Sequence, residues 1–200
     1  MMSAFYFFTI KGNKFALAPF SRKTLENKNI ESNYRSWFHD QRVTKYNSHG
    51  LFPYTEKQFN EYMDELDHPT NKLVMGIFHV DTNRHIGNVS LQSIDWINRS
   101  AELAIIIGET DYHNSGVGKY ACQLMLEHGF LKMNLHRIWT GTATTNIPMV
   151  NLALSCGFSH EGTFRQASFL EGKYTNIQEF GLLVHEYIAI LEKENATKSK

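Results

Sequence analysis

A short glycine-containing segment in the middle of the chain has the residue types of a phosphate-binding loop. It runs from His113 to Gly118, follows a strand-like run and leads into an amphipathic helical pattern. Glycines allow a backbone to approach an anion closely, and the first amides of a helix have no partner inside that helix. The helix dipole adds partial positive charge at the same end. The segment therefore predicts a site for a phosphate-bearing ligand.

The segment lacks features of two other kinds of phosphate-binding loop, but it does not exclude a plain turn. A Gly-x-Gly pair also occurs in plain tight turns between a strand and a helix, and that interpretation stays open. The third glycine and the downstream acidic residue of a dinucleotide fingerprint are absent, and so is the Gly-x-x-x-x-Gly-Lys pattern of a nucleotide-triphosphate loop. Lys119 either adds an ionic contact to the phosphate or points to solvent.

The elements that must position this loop alternate between strand and helix signals. Strands are predicted over 14–20, 72–80, 84–94, 100–109, 137–144, 158–169 and 177–190. Helical periodicity is found around Tyr34, Trp37 and Phe38, over Phe59 to Leu66, over 117–133, and over 146–157, where Asn146 is expected to cap the helix and Gly157 to end it.

The strand, helix and strand between residues 100 and 144 predict a parallel crossover, whereas the three strands before it predict an antiparallel meander. The expected fold is therefore α/β, with a mixed but mostly antiparallel sheet of about seven strands and about four helices. Residues 1–191 are predicted to form a single domain, and residues 192–200 a polar, frayed tail.

Composition excludes several classes of protein. Lys plus Arg equals Asp plus Glu at 20 each, so no net charge draws the chain to nucleic acid or to an anionic membrane. No apolar stretch approaches the roughly 18 residues that span a bilayer, and the N-terminal run lacks the flanks of a signal peptide, so a cytoplasmic protein is expected.

Cys122 and Cys156 are predicted to be reduced core residues. The ten histidines form no tight ligand set, so no metal is expected.

Several motifs at matching spacing resemble the GNAT acetyltransferase superfamily. Residues 101–107 resemble its fourth strand, and His113 to Gly118 its pyrophosphate loop, usually written Arg/Gln-x-x-Gly-x-Gly/Ala. The stretches 134–138, 146–149 and 157–162 resemble the next strand entry, the following helix, and the Gly-Phe and Glu-Gly after it. With Gly172-Lys173-Tyr174, the chain is most similar to the branch that acetylates ribosomal-protein N-termini and amino sugars.

The resemblance implies acetyl-CoA as the acetyl donor and a set of residues that hold it. In the family, the fourth strand splays from the fifth, and its free edge binds the cofactor and polarises the thioester carbonyl. The implied cofactor-binding residues are Ile105, Ile106, Ile107, His113, Asn114, Ser115, Gly116, Val117, Gly118, Lys119 and Asn146.

Two positions depart from the family pattern. His113 stands where the family has arginine or glutamine; a neutral imidazole still donates one hydrogen bond, and a protonated one favours phosphate. Ala153 stands seven residues after Asn146, where many members carry a tyrosine that protonates the leaving thiolate. The general acid is therefore left unassigned, and a thiolate is a leaving group that tolerates its absence.

Acetyl transfer to an amine needs a proton acceptor, because an alkylammonium ion with a pKa of about 10 must first become neutral. Glu102, on the strand beside the expected cleft, is the first candidate for this base. A solvent-facing or salt-bridged strand carboxylate is the alternative for the same residue.

The acceptor site is less defined by the sequence. The family builds it from the first two helices and the final hairpin, which makes Trp37, Arg42, His49, Lys173 and Tyr174 the candidate residues, although Trp37 also fits a core position. An amino sugar, nucleotide-linked or not, is the favoured acceptor. A protein N-terminus, a polyamine, and a module that binds acyl-CoA without turnover are the alternatives. A strongly acidic pocket would favour the polyamine, and the oligomeric state is not predicted.

Overall fold

The computed structural model describes residues 4–47, 55–67 and 70–198. Within these residues it contains eight strands and six α-helices. The strands are β1 (Tyr6–Ile10), β2 (Asn13–Pro19), β3 (Leu73–His79), β4 (Arg84–Asp95), β5 (Ser100–Ile107), β6 (Arg137–Ala143), β7 (Ser159–Leu170) and β8 (Lys173–Leu183). The helices are α1 (Lys28–Trp37), α2 (Gln41–Thr44), α3 (Glu56–Asp67), α4 (Val117–Glu127), α5 (Ile147–Ser155) and α6 (Val184–Lys198).

All eight strands form one mixed sheet in the order β1-β2-β3-β4-β5-β6-β8-β7. Neighbouring strands are antiparallel except β5 and β6, which are parallel and joined by the crossover through α4. The predicted α/β class, the meander and the single parallel pair are confirmed.

The parallel pair is short, and this opens the sheet. Only three residue pairs join the strands, from Ser100 opposite Arg137 to Glu102 opposite Trp139. Beyond Glu102, β5 stays paired with β4 as far as Ile107, while β6 stays paired with β8. Among the described residues, 103–107 therefore have no strand partner on the β6 side. We call the point where β5 and β6 part, at Glu102 and Trp139, the fork.

Two hydrophobic clusters cover the two faces of the sheet. The larger one packs α4 and α5 against the sheet and includes Ile86, Val89, Leu103, Met125 and Ile138. The smaller one packs α1 and α3 on the opposite face and includes Phe20, Tyr34, Trp37, Met63 and Phe78. Because strand side chains alternate between faces, β5 turns Leu103 towards the first cluster and Glu102 towards the second face.

One strand was not predicted from the sequence. The apolar run before the first predicted strand forms β1, which pairs with β2 through a two-residue turn of Lys11 and Gly12. Both turn residues have positive φ, 50° and 83°, as the tightest hairpins require. The glycine between two apolar runs was the available signal for this hairpin.

The C-terminal predictions were wrong in two respects. The last strand was expected over 177–190, but β8 ends at Leu183 and α6 begins at Val184. Val184, Tyr187 and Leu191 are three and four residues apart and pack on the larger cluster, which is helical spacing. The residues predicted as a frayed tail continue this helix as far as Lys198.

The crossover helices begin and end largely as predicted. Pro148 lies in the first turn of α5, and Gly157, with φ of 92°, follows its end. Asn146 occupies the position before the helix, but its side chain makes no capping hydrogen bond. Its Nδ2 instead donates to Oγ1 of Thr142 at 3.0 Å, so the predicted capping role is corrected to a contact with β6.

Candidate functional site

The glycine-containing loop presents unused backbone donors at the start of α4. Gly116 precedes the helix with φ of 92°, and Asn114 has φ of 56°. The first intrahelical bond runs from the amide of Tyr120 to the carbonyl of Gly116 at 3.3 Å. Among the described residues, no acceptor is recorded for the amides of Asn114, Gly116, Gly118 and Lys119. Such converging N–H groups at a helix N-terminus suit an anion.

Ser115 stabilises the loop from within. Its hydroxyl donates to the carbonyl of Tyr112 at 2.6 Å and accepts the amide of Val117 at 3.3 Å. The side chain of Val117 is fully buried in the larger cluster, which anchors the first turn of α4. These contacts fix the direction of the neighbouring amides, so the loop is organised before any ligand binds.

His113 has its neutral donor already engaged. Its Nε2 lies 2.9 Å from the carbonyl oxygen of Ile107, and because a carbonyl only accepts, Nε2 carries the hydrogen. In the neutral ring Nδ1 is then an acceptor, so the donor expected from a neutral imidazole is not available to phosphate. Only the protonated ring offers a second N–H. This histidine therefore ties the loop to the end of β5.

Apolar side chains of β5 and α5 lie beside the start of α4, and we call the region between these three elements the slot. A Cβ added to Gly118 would lie 3.4 Å from Cδ1 of Ile105, and 4.0 Å from both Cγ1 of Ile107 and Cδ2 of Leu152. The slot is thus bounded by α4, β5 and α5, beside the strand edge that β6 leaves unpaired. Ile106 lies on the opposite face of the same edge.

Neither the position of the family's tyrosine nor the nearby Ser155 offers a general acid. Ala153 is 2% exposed within the larger cluster, so it presents no polar group. Ser155 is exposed, and its hydroxyl donates to the carbonyl of Leu152 at 2.9 Å, within its own helix. Neither residue supplies an acid to the slot, in agreement with the family departure noted at Ala153.

Two carboxylates lie near the fork on the face of α1 and α3. Glu102 accepts a hydrogen bond from Nε2 of Gln92 at 3.0 Å. Glu179, on β8, is the cross-strand partner of Gly141 on β6. A Cβ at Gly141 would lie 2.5 Å from Oε1 of Glu179, so the carboxylate rests on the bare backbone of that glycine. Among the described residues, no hydrogen bond or ion pair is recorded for Glu179.

The surroundings of Glu179 disfavour its negative charge. Partial burial raises the pKa of Glu179 above its ordinary value, and the charges of Glu102 and Glu161 raise it further, while Arg137 acts in the opposite direction. Glu161 is paired with Arg137 through two hydrogen bonds, one of 2.6 Å between Nη1 and Oε1. Within the part of the chain that the structure describes, neither Glu102 nor Glu179 forms a recorded ion pair, although the charge of Arg137 acts on Glu179.

A row of polar side chains on β4 lines the same face. Asn88, Ser90 and Gln92 alternate with Val89 and Leu91, and they lie opposite Ile106, Ala104 and Glu102 on β5. Asn88 and Ser90 are only 6% and 9% exposed. These residues were not singled out from the sequence, although polar residues at every second position of an apolar strand were a visible signal.

The predicted acceptor residues are divided between two places. Trp37 and Arg42 line a cavity of about 590 Å³ at the C-terminal end of β5. Trp37 is 2% exposed and its indole N–H donates to Oε1 of Glu109 at 2.9 Å, so it serves mainly as a core residue. Arg42 is exposed and forms a bidentate ion pair with Asp40, in which Nη2 of Arg42 lies 2.6 Å from Oδ2 of Asp40.

Two further acceptor candidates lie at the final hairpin. Lys173 and Tyr174 begin β8 and are exposed, and Tyr174 stacks edge-on with Phe169 at 5.1 Å between ring centres. The hairpin is tied to the end of α2 by an ion pair of 3.1 Å between Lys45 and Glu171. His49 lies outside the described residues. No recorded hydrogen bond or ion pair among the described residues joins any of these side chains to Glu102.

Three further predictions concern other chemistry. Cys122 and Cys156 are free and buried, as predicted, and burial raises the pKa of both thiols. Within residues 4–47, 55–67 and 70–198, no group of three or more His, Cys, Asp or Glu side chains converges to hold a metal ion. No helix in these ranges is long and apolar enough to cross a membrane.

The chain belongs to the acetyltransferase (GNAT) domain family, whose model matches residues 23–159. That match contains the loop, the slot and Glu102. The chain is accordingly an acyltransferase that uses acetyl-CoA as its acetyl donor.

Two curated relatives are spermidine N(1)-acetyltransferases. The one from Vibrio cholerae serotype O1 is 29% identical over 152 residues, which cover 71% of this chain and 85% of the relative. The one from Escherichia coli strain K12 is 30% identical over 103 residues, covering 52% of this chain and 55% of the relative. The names of both relatives give a polyamine as their acceptor, whereas the sequence alone favoured an amino sugar for this chain.

A solved structure shares the fold. The spermidine N-acetyltransferase of Vibrio cholerae in complex with CoA and spermine matches with a TM-score of 0.76 and 23% sequence identity, over 87% of this chain and 98% of that one. At this level of identity the likeness supports the architecture of the sheet, not the acceptor.

Proposed function

We propose that the protein acetylates a polyamine, a small acceptor that carries several ammonium groups. The observation that carries this proposal is the pair of carboxylates near the fork, Glu102 and Glu179, for which no ion pair is recorded among the described residues. Two neighbouring carboxylates attract an ammonium ion and disfavour an anionic nucleotide sugar. The relatives named as spermidine acetyltransferases support the same acceptor class.

The arrangement of the donor follows from the loop and the strand edge. We expect the pyrophosphate of acetyl-CoA to accept hydrogen bonds from the backbone amides at the start of α4, with Lys119 nearby as an exposed cation. The pantetheine arm then runs through the slot beside Ile105 and Ile107. From Ile107 back to Leu103 the strand spans roughly 13 Å, which brings the thioester towards the fork and the carboxylates. Asn146, through its Oδ1, is proposed to contact the same arm.

The reaction proposed at the fork begins with loss of a proton from the bound ammonium group. Glu102, on the strand beside the donor, remains our candidate for the first proton acceptor. The neutral nitrogen then attacks the thioester carbonyl and loses a second proton, the carbon–sulphur bond breaks, and the thiolate takes up one proton in turn. One ammonium ion and one thioester thus give an amide, a thiol and one released proton.

The test of the acceptor is a thiol-release assay with a panel of amines. We expect kcat/KM to be at least 10-fold higher for spermidine than for a monoamine of similar length, because a second ammonium group adds a charge interaction of about 1.4 kcal/mol or more with the acidic fork. The preference should weaken as ionic strength rises. Glucosamine, a nucleotide-linked amino sugar and a short peptide complete the panel.

Two results would overturn the proposal. One is a higher kcat/KM for the amino sugars or the peptide than for any polyamine. The other is a preference for spermidine that does not change with salt, since that would show recognition without the two carboxylates. A matched control is spermidine with its terminal amines already acetylated, which should release no thiol.

A further inference from the structure

We propose that Glu179 is a second acid–base residue of the acceptor site and shares with Glu102 the proton removed from the amine. This inference rests on the proposed function, because it concerns the same fork. It adds a residue outside the motifs that identify the family, on a strand far from Glu102 in sequence.

The position of Glu179 depends on a glycine in the neighbouring strand. Gly141 faces Glu179 across the β6–β8 pair, and the Glu179 carboxylate lies where a side chain at position 141 would begin, with Cδ only 3.1 Å from an added Cβ. A larger residue at this position would push the carboxylate away. The glycine therefore permits Glu179 to lie across β6, the strand between β8 and the fork.

The charges around Glu179 come from three neighbouring strands. Glu102 on β5 and Glu161 on β7 are acidic, and Arg137 on β6 is basic. Since Arg137 and Glu161 neutralise one another through paired hydrogen bonds, Glu102 is the uncompensated neighbour. The negative charge of Glu102 therefore raises the pKa of Glu179.

The consequence concerns the strength of Glu179 as a proton acceptor. Burial and the neighbouring carboxylates raise the pKa of Glu179, which makes its ionised form a stronger base than an ordinary surface carboxylate. In the proposed step an ammonium proton passes to the pair and is held by Glu179. The proton leaves to solvent after the amine has attacked, so the pair returns to its starting state.

Two substitutions separate this role from a structural one. Glu179→Gln removes the charge but keeps the shape, and we expect kcat with spermidine to fall roughly 100-fold, within the usual range for loss of an acid–base group. Gly141→Ala keeps the carboxylate but displaces it, and should lower kcat by roughly 10-fold. The KM for acetyl-CoA should stay within about twofold in both variants, because neither residue lies at the loop or slot.

Gly162→Ala is the matched control for the glycine substitution. Gly162 also pairs with Glu179, from the β7 side, but an added Cβ there meets nothing within 4 Å. We expect this variant to retain the activity of the unchanged protein. Equal losses in both alanine variants would show that the glycine effect is a general disturbance of the sheet.

The pH profile supplies the decisive readout. Removing the charge of Glu102 with Glu102→Gln lowers the pKa of Glu179, since Glu102 is one of the groups that raise it. The acidic limb of kcat/KM should therefore move to lower pH in this variant. An unmoved limb, or a Glu179→Gln variant with normal kcat, would overturn the inference while leaving polyamine acetylation by the unchanged protein intact.

Discussion

Replacing Gly116 with alanine is expected to weaken binding of coenzyme A by roughly 10- to 100-fold. Gly116 has φ of 92°, a region that costs an alanine about 1–2 kcal/mol more than glycine. In the part of the chain that the structure describes, no atom lies within 4 Å of the added Cβ, so the effect comes from the backbone and not from a clash. As the loop relaxes, the amides of Gly116 and Gly118 turn away, and each lost bond to phosphate contributes about 1.5–3 kcal/mol.

The measurement is calorimetric binding of coenzyme A, together with kcat/KM for acetyl-CoA and for acetyl-pantetheine, a donor without the pyrophosphate. The loss should be confined to the full-length donor. Gly172→Ala is the matched control, because Gly172 has φ of 79°, has no atom near an added Cβ and lies at the tip of the β7–β8 hairpin. An equal decrease for both donors would contradict the role assigned to the loop.

The cofactor half of the protein was predictable because its signals are local. A glycine with positive φ, the amphipathic pattern of α4 and the change of period around it all lie within a few residues of one another. The parallel crossover then follows from chain order alone. The hydrogen bond from His113 to the carbonyl of Ile107 could not be predicted from the sequence, because it depends on how the loop folds back on β5.

The acceptor half was less predictable because it depends on strand pairing over long distances in sequence. Glu179 becomes a candidate only when β8 pairs with β6 and places it over Gly141. No sequence pattern near either residue predicts that contact. By contrast, the polar residues Asn88, Ser90 and Gln92 occupy every second position of β4. This alternation with apolar residues is visible in the sequence, but it does not by itself distinguish a site-lining face from any other face of a meander.

Errors at the C-terminus have a different origin. The residues after Leu183 are apolar enough for either a strand or a helix, and short apolar runs do not distinguish the two by composition. The spacing of Val184, Tyr187 and Leu191 decides for a helix, since these side chains reach the same cluster. Here tertiary packing, and not local preference, determines the element.

A buried histidine beneath the acceptor face should make the fold sensitive to mild acid. His85 is 1% exposed and is surrounded by aromatic rings, among them Phe20, Trp37 and Phe78, with centres 4.8–4.9 Å from its own. Its Nε2 donates to Oδ1 of Asn88 at 2.8 Å, and Nδ1 is buried. Burial lowers the pKa of His85 from 6.5 to about 4.

The sign of the effect follows from proton binding in the two states. Below pH 6.5 the unfolded chain protonates this histidine, whereas the folded protein does so only near pH 4, so stability falls as the pH decreases through this window. The free energy of unfolding should drop by about 2 kcal/mol between pH 7 and pH 5 from this group. The carboxylates whose pKa is lowered, such as Glu31 and Glu161, act mainly below this range.

Glu102 and Glu179 lie on the same face as Asn88, so the prediction bears on the acceptor site as well as on stability. His85→Gln keeps a donor for Asn88 but cannot titrate, and we expect it to remove most of the decrease between pH 7 and pH 5 in urea unfolding. His160→Gln, at an exposed position on β7, is the substitution control. If the decrease is the same in His85→Gln as in the unchanged protein, then His85 is not the group whose protonation unfolds the acceptor face.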